Sequence, residues 1–316
     1  MYGGDLVSMF FQITVLIVRG LVGIFVGLVR LLLAGYYAVR NAKQRRAAVQ
    51  QAAAGWQPPP GWQPLPQFQP QAAPAPEPAP RPPRPLDEIW AEVDGLVGLA
   101  PVKEFLRSVA ATVEVSRRRE AEGLPPIRQT LHMAFYGNPG TGKTTVARLA
   151  GELLAALGAL PLGHLVEVDR SGLVAGYVGQ TALKVQDAVR RAMGGVLFVD
   201  EAYSLARGGE QDFGREALDA LVKAMEDHRD RLCVILAGYE REMAALFRLN
   251  PGLESRIAFV CRFPDYTPQE CLEVARREAQ KQGYQLSLGA EHALYERFCR
   301  VNLGAAGNGR YARRLV

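Results

Sequence analysis

No two of the four cysteines, Cys233, Cys261, Cys271 and Cys299, stand at C-x-x-C spacing. That lack removes the usual zinc knuckles, and a chain of 316 residues is too long to need disulfide staples, so reduced thiols in a cytosolic compartment are expected. A basic surplus is lacking too, in the part of the chain where it would matter most. The formal net charge is +5, yet eight of the 37 basic residues and only two of the 32 acidic ones precede residue 87. The body from residue 87 onward is therefore near neutral, which argues against a non-specific nucleic-acid footprint there. Lysine and arginine are also missing from the extreme N-terminus, where Asp5 stands, and the basic cluster follows the apolar run instead of preceding it. A secretory signal peptide has the opposite order.

What is present falls into three regions. From Leu6 to Val39 the chain is almost wholly apolar, broken by Gln12, Arg19 and Arg30. A helix of about 20 such residues spans about 30 Å, so residues 1–46 are expected to form a membrane-associated helix with a basic cluster, Arg40 to Arg46, on its cytoplasmic side. Each arginine costs roughly 2.5–3.5 kcal/mol at a helix centre. Their eleven-residue separation places them within about 20° on one helix face, as a stripe that could face a bundle interior. A helix lying in the interface is the alternative. Residues 47–86 read as a linker, because 13 of the 21 prolines lie between Gly55 and Leu86 and Gly-Trp-Gln-Pro repeats at 55 and 61. Proline at that density holds an extended backbone and builds no core.

From residue 87 the texture changes. Short apolar runs at 131–136, 164–168, 196–200, 232–237 and 257–263 alternate with helical patterns. Strand, helix, strand in succession predicts an α/β domain over 87–264 with a parallel sheet covered on both faces. Past Pro264 the pattern is wholly helical, over 268–282 and 287–301, and predicts a small helical lid over 265–316.

The run 131–136 leads into Gly137-Asn138-Pro139-Gly140-Thr141-Gly142-Lys143-Thr144, followed by the helical stretch from Thr145. This is a P-loop (Walker A) in its proper context. Glycines let backbone N–H groups close around phosphate oxygens, Lys143 reaches the β and γ phosphates, and the Thr144 hydroxyl can ligate Mg²⁺. The strand 196–200 ends in Asp200-Glu201, a Walker B pair. Asp200 is expected to hold Mg²⁺ and Glu201 to polarise the attacking water, giving an ATP-hydrolysing enzyme.

These motifs, together with Leu96-Val-Gly-Leu99, Gly176-Tyr-Val-Gly179, Val196 to Tyr203, Met225-Glu-Asp-His-Arg229, Ile235 to Tyr239, Asn250 to Ile257, Phe263-Pro-Asp-Tyr266 and Gly307-Asn-Gly-Arg310, resemble the AAA+ ATPases. The match is to the group that includes stage V sporulation protein K and the red-type, CbbX-like Rubisco activase. The resemblance implies an AAA+ P-loop NTPase fold, with ATP and Mg²⁺ as cofactors. It implies that Val97 and Gly98 lie beside the adenine, that Asn138 to Thr145 hold the nucleotide, and that Arg310 senses the γ-phosphate from the lid. It further implies that Arg256 is an arginine finger reaching a neighbouring subunit, that Tyr177 grips a protein substrate in the pore of a homo-hexamer, and that the output is chaperone-like remodelling. Two departures stand out. Many members carry Asn or Thr where the fourth strand here ends Leu236-Ala-Gly-Tyr239, so the polar residue that orients the water has no evident holder. The chain also ends six residues past Arg310, where the lid helix of the family normally continues, so either the sequence is a fragment or the lid, and with it hexamer packing, is compromised.

The leading expectation is a membrane-tethered ring that pulls on a protein partner, with its ATPase domain in the cytoplasm. A nucleotide-switched membrane scaffold is the alternative from another class. A nucleic-acid motor lacks the basic face that binding would need.

Overall fold

The computed structural model describes residues 84–125, 130–177, 179–207 and 213–316. The expected membrane segment and proline-rich linker lie outside these, apart from the linker's last three residues. Among the described residues no helix is long and apolar enough to cross a membrane.

Five strands, β1 (Met133–Tyr136), β2 (Leu165–Val168), β3 (Val196–Val199), β4 (Cys233–Gly238) and β5 (Phe259–Arg262), form one parallel sheet in the order β2-β3-β4-β1-β5. All five apolar runs are therefore strands. Four are shorter than their runs and β4 is shifted by one residue, because ladder bonds stop where the flanking apolar residues turn into connections; His132, for example, accepts at its carbonyl from Ala258 and Phe259 at the start of β5. The interior strands β3 and β4 are buried along their whole length, as strands covered on both faces must be.

Helices α1 (Leu86–Asp94), α2 (Ala100–Ala121) and α3 (Lys143–Ala156) cover one face. Their core with the sheet contains Ile89, Leu106, Phe135, Leu149, Leu153 and Phe198. Burial of such side chains contributes about 1.5–3 kcal/mol each. Lys103 caps the end of α1 by donating Nζ to the carbonyls of Asp94 and Leu96, at 2.9 and 2.7 Å. Arg84 and Arg148 alternate with Glu92 and Glu152 in a closed ionic square at 2.7–3.0 Å, which fastens α1 to α3.

On the opposite face lie α4 (Arg170–Leu173), α5 (Thr181–Ala192), a 3₁₀ turn (Ala202–Ala206), α6 (Gly214–Asp227), α7 (Glu240–Leu249) and α8 (Pro251–Glu254). Their core includes Leu197, Val199, Leu221, Leu236 and Leu246.

The lid comprises α9 (Pro268–Lys281), α10 (Leu288–Arg300), α11 (Leu303–Ala306) and α12 (Asn308–Arg314). Thr267 and Glu270 form a capping box around Pro268, which starts α9 cleanly. Cys271, Leu272, Ala275, Phe298, Tyr311 and Ala312 close a separate small core. The last two short helices carry too few residues to show a period in sequence.

His132, just before β1, is buried and stitches the sheet to α6. Val234 N donates to its Nδ1 at 3.0 Å, which leaves Nε2 as the donor to the Met225 carbonyl at 2.9 Å. Burial lowers its pKa from the usual imidazole value, the Met225 bond opposes that shift, and Arg256 lowers it while Glu226 raises it. The folded chain thus holds a neutral ring that the unfolded chain protonates. Its contribution to stability is complete above about pH 6.5 and declines as pH falls from there towards the depressed native value. Melting temperature is expected to drop between pH 7 and pH 5.5, and to drop less in His132→Asn, which keeps the acceptor for Val234 without titrating; parallel slopes would refute the assignment.

Candidate nucleotide site

The cleft opens at the C-terminal ends of the strands, where a parallel sheet presents its ligands. It is lined by Gly137, Pro139, Gly140, Gly142, Lys143, Thr144, Thr145, Asp200, Glu201 and Arg310. The loop can wrap in this way because Gly140 and Gly142 take left-handed φ values of 74° and 95°. Gly142 ends the loop as the N-cap of α3, so the N–H groups of the first helical turn are free to face an anion.

Lys143 folds back over the loop, donating Nζ to the carbonyls of Gly137 and Asn138 at 2.9 Å each. Burial pulls its pKa below the usual lysine value; Asp200 and Glu201 raise it again and Arg310 lowers it. Asp200 Oδ1 accepts from the backbone N of Glu201 at 3.0 Å, and Glu201 itself sits at φ 47°. A left-handed conformation at a residue other than glycine is costly and tends to mark a functional position.

The structure gathers most of the expected site residues into the cleft and leaves six outside its lining, four of them at its margins. Asn138 turns its amide towards Asp265, at 2.9 Å from both carboxylate oxygens, and Thr141 is buried and donates to the Asn138 carbonyl at 2.8 Å. Val97 packs against the lid core, and Gly98 stands at φ 60° where any Cβ would run into the Glu270 carboxylate. Neither lines the cleft; the turn they belong to follows Leu96, and its Leu99 reaches over Gly142. Arg256 is also elsewhere. Its guanidinium donates to the Gly252 carbonyl at 2.7 Å and pairs with Glu226 at 3.3 Å, with a quarter of the side chain exposed. Tyr177, in contrast, is 74% exposed on the loop between α4 and α5, beside Gly176, around which a Cβ would meet nothing.

Four further residues line the cleft that the sequence did not assign to it: Tyr203, Gly238, Tyr239 and Arg313. The end of β4, where no polar water-orienting residue could be found, is occupied by an aromatic pair. The Tyr203 and Tyr239 rings lie 5.7 Å apart, and Gly238 makes room for them, since a Cβ there would come within 2.7 Å of Tyr203 Cδ1. Burial, and then the neighbouring Glu201 carboxylate, push the Tyr203 hydroxyl up to about 12. It therefore remains a protonated donor beside Glu201 at any ordinary pH.

The donor set suits Mg²⁺. Thr144 and Asp200 bring hard oxygen ligands to the cleft, and no group of three or more His, Cys, Asp or Glu exists among the described residues to make a softer or more fully protein-bound site. Magnesium is commonly held by one or two protein oxygens, with water and phosphate completing the octahedron.

A P-loop at the end of β1, an acidic pair at the end of β3 with β4 between the two strands, and a lid carrying an arginine define a nucleotide-binding P-loop ATPase. A family model described as "ATPase family associated with various cellular activities (AAA)" matches residues 133–265. Over 235 residues the chain is 46% identical to stage V sporulation protein K of Bacillus subtilis (strain 168), covering 73% of each. It is 46% identical over 213 residues to the chloroplastic ribulose bisphosphate carboxylase/oxygenase activase of Cyanidioschyzon merolae (strain NIES-3377 / 10D), covering 67% of this chain and 73% of that one. The crystal structure of the FIGL-1 AAA domain in complex with ADP shares the fold, with a TM-score of 0.50 at 19% identity over 72% of this chain and 70% of that one. The chain belongs to the AAA ATPases, in the group of stage V sporulation protein K and this Rubisco activase, and it hydrolyses ATP.

Proposed function

We propose that this ATPase is a protein-remodelling motor, working as a homo-hexameric ring that pulls on a protein partner through its central pore. The exposure of Tyr177 carries the reading. An aromatic on an open glycine-flanked loop, with no core to fill, grips an extended chain by contact that needs no particular sequence. The relative named as an activase of ribulose bisphosphate carboxylase/oxygenase supports a protein as the object of the work.

Within the cleft, backbone N–H groups of Gly140 to Thr145 bind the phosphates, and Lys143 leaves its two loop carbonyls to bridge the β and γ phosphates. Glu201 polarises the attacking water, with the Tyr203 hydroxyl beside it. Arg310 approaches the γ-phosphate from the lid, and Val97 and Gly98 border the adenine at the junction of lid and body. Thr144 and Asp200 hold Mg²⁺, which supplies charge neutralisation at the phosphates when bound. Arg256 leaves Glu226 to complete the site of the neighbouring subunit. Residues 1–46 tether the ring to a membrane through the apolar run, residues 47–86 act as the spacer, 87–264 form the ATPase domain on the cytoplasmic side and 265–316 form the lid.

Glu201→Gln loaded with ATP is expected to capture the protein partner from a cell extract, and Tyr177→Ala in the same background to lose that capture, while Tyr177→Ala alone keeps ATP turnover within about twofold, as for a surface residue remote from the cleft. Undiminished capture by the double variant would remove Tyr177 from the substrate path.

A further inference from the structure

The lid meets the P-loop along a seam of backbone atoms, and one acidic side chain ties it together. Asp265, just past β5, accepts from Asn138 Nδ2 of the P-loop at 2.9 Å and from Asn308 Nδ2 of α12 at 2.8 Å. Asn308 is buried and in the left-handed region, at φ 49°. It spends its remaining capacity on the same seam, donating to the Pro139 carbonyl at 3.2 Å and accepting from Tyr266 N at 2.9 Å. One residue on, Gly309 N donates to the Gly140 carbonyl at 3.1 Å. Two glycines permit the close approach: a Cβ on Gly140 would run into the Gly307 carbonyl, and one on Gly304 into the Asp265 carboxylate.

Helix capping does not explain Asp265, because Thr267 caps α9 and Asn302 caps α11. Packing does not explain it either, since the residue is exposed. A carboxylate beside a loop built to bind phosphates is electrostatically unfavourable for affinity, so its presence needs another account. Its partners supply one. Asn138 belongs to the loop that surrounds the phosphates, and Asn308 stands two residues before Arg310, which lines the cleft. Fixing Asn308 to Asn138 through Asp265 fixes the start of α12, and with it the origin of the Arg310 side chain, relative to the phosphate-binding backbone.

We infer that Asp265 is a positioning residue for the ATPase reaction, holding the Asn308 end of the lid against Asn138 of the P-loop so that Arg310 is aimed at the γ-phosphate. The inference rests on the proposed role of Arg310 at the γ-phosphate. It requires Asp265 to govern turnover more than affinity, because the P-loop N–H groups and Lys143 bind nucleotide without it.

The test is a double-mutant cycle in the full chain, with turnover measured as phosphate release and affinity as binding of a fluorescent ADP. Asp265→Ala is expected to lower kcat about 10- to 100-fold, the scale of a catalytic group displaced by about an ångström, and to leave the Kd for ADP within about threefold. Asp265→Asn, which keeps one acceptor oxygen, should fall between. In an Arg310→Ala background, Asp265→Ala should lower kcat no further. An equal loss in both backgrounds would overturn the inference, as would unchanged turnover in Asp265→Ala when Arg310→Ala is impaired, or an ADP affinity that falls in step with kcat. Full turnover in Arg310→Ala would be a different failure, bringing down the Arg310 assignment and this inference with it.

Discussion

Glu201→Gln is expected to lower ATP turnover about 10²- to 10⁴-fold, the usual contribution of a general base, while nucleotide still binds. The amide keeps the shape of the side chain at its left-handed backbone position, so the loop that carries it need not move. It removes the one property the chemistry needs, the capacity to draw a proton from water. Lys143, Thr144 and the loop N–H groups are untouched. A tenfold or greater loss of ADP affinity would show that Glu201 supports binding instead, and turnover within twofold of the parent would show that another group polarises the water. Tyr203 would then be the first residue to examine, as the hydroxyl beside Glu201.

The second large effect is expected from Arg256→Ala, about 10³- to 10⁵-fold on turnover, the range of arginine fingers supplied in trans. Arg256 does not line its own cleft; it lies between Gly252 and Glu226. Entry of the side chain into the site of another copy is the expected route for an effect of that size from a residue that does not line its own cleft. Two inactive variants should therefore complement. Mixing Arg256→Ala with Glu201→Gln brings an intact Glu201 cleft next to an intact Arg256, and the mixture should recover turnover that neither variant shows alone. A mixture no more active than the sum of its parts would place the finger elsewhere. The resting contacts of Arg256 make its departure inexpensive: its Nε is buried without a hydrogen bond, and Glu226 is almost half exposed and readily rehydrated.

The sheet and the P-loop were legible in the sequence because their signals are local. Each strand is an apolar run bounded by turn residues, and the loop is one contiguous stretch whose glycines, lysine and threonine act within eight positions. Asp200 and Glu201 were legible for the same reason, as a strand end. What escaped was assembled across distance. Asp265 meets Asn138 from 127 positions away, and Asn308 from 43. Nothing in Phe-Pro-Asp-Tyr or Gly-Asn-Gly-Arg taken alone says that the aspartate of one receives the asparagine of the other. Tyr203 and Tyr239 went unassigned at the cleft because an aromatic at a strand end ordinarily joins the core; Tyr203 does join it and lines the cleft as well, packed where a Cβ on Gly238 would come within 2.7 Å of its ring. Val97 and Gly98 show the converse. Their motif is easily found, but the lid they touch is set by α9, so their neighbourhood depends on how two parts of the chain close.

The strand order has a consequence for synthesis. β1 pairs only with β4 and β5, both far later in the chain, while β2, β3 and β4 pair in sequence. About a hundred residues separate the end of β1 from the start of β4, which at roughly 5–20 residues per second is about 5–20 s of translation. For that interval the strand that launches the P-loop is an apolar segment without a partner. The nucleotide cleft, lined from Gly137 to Arg313, is therefore among the last features to be completed on the ribosome, after the lid residues that close it have emerged.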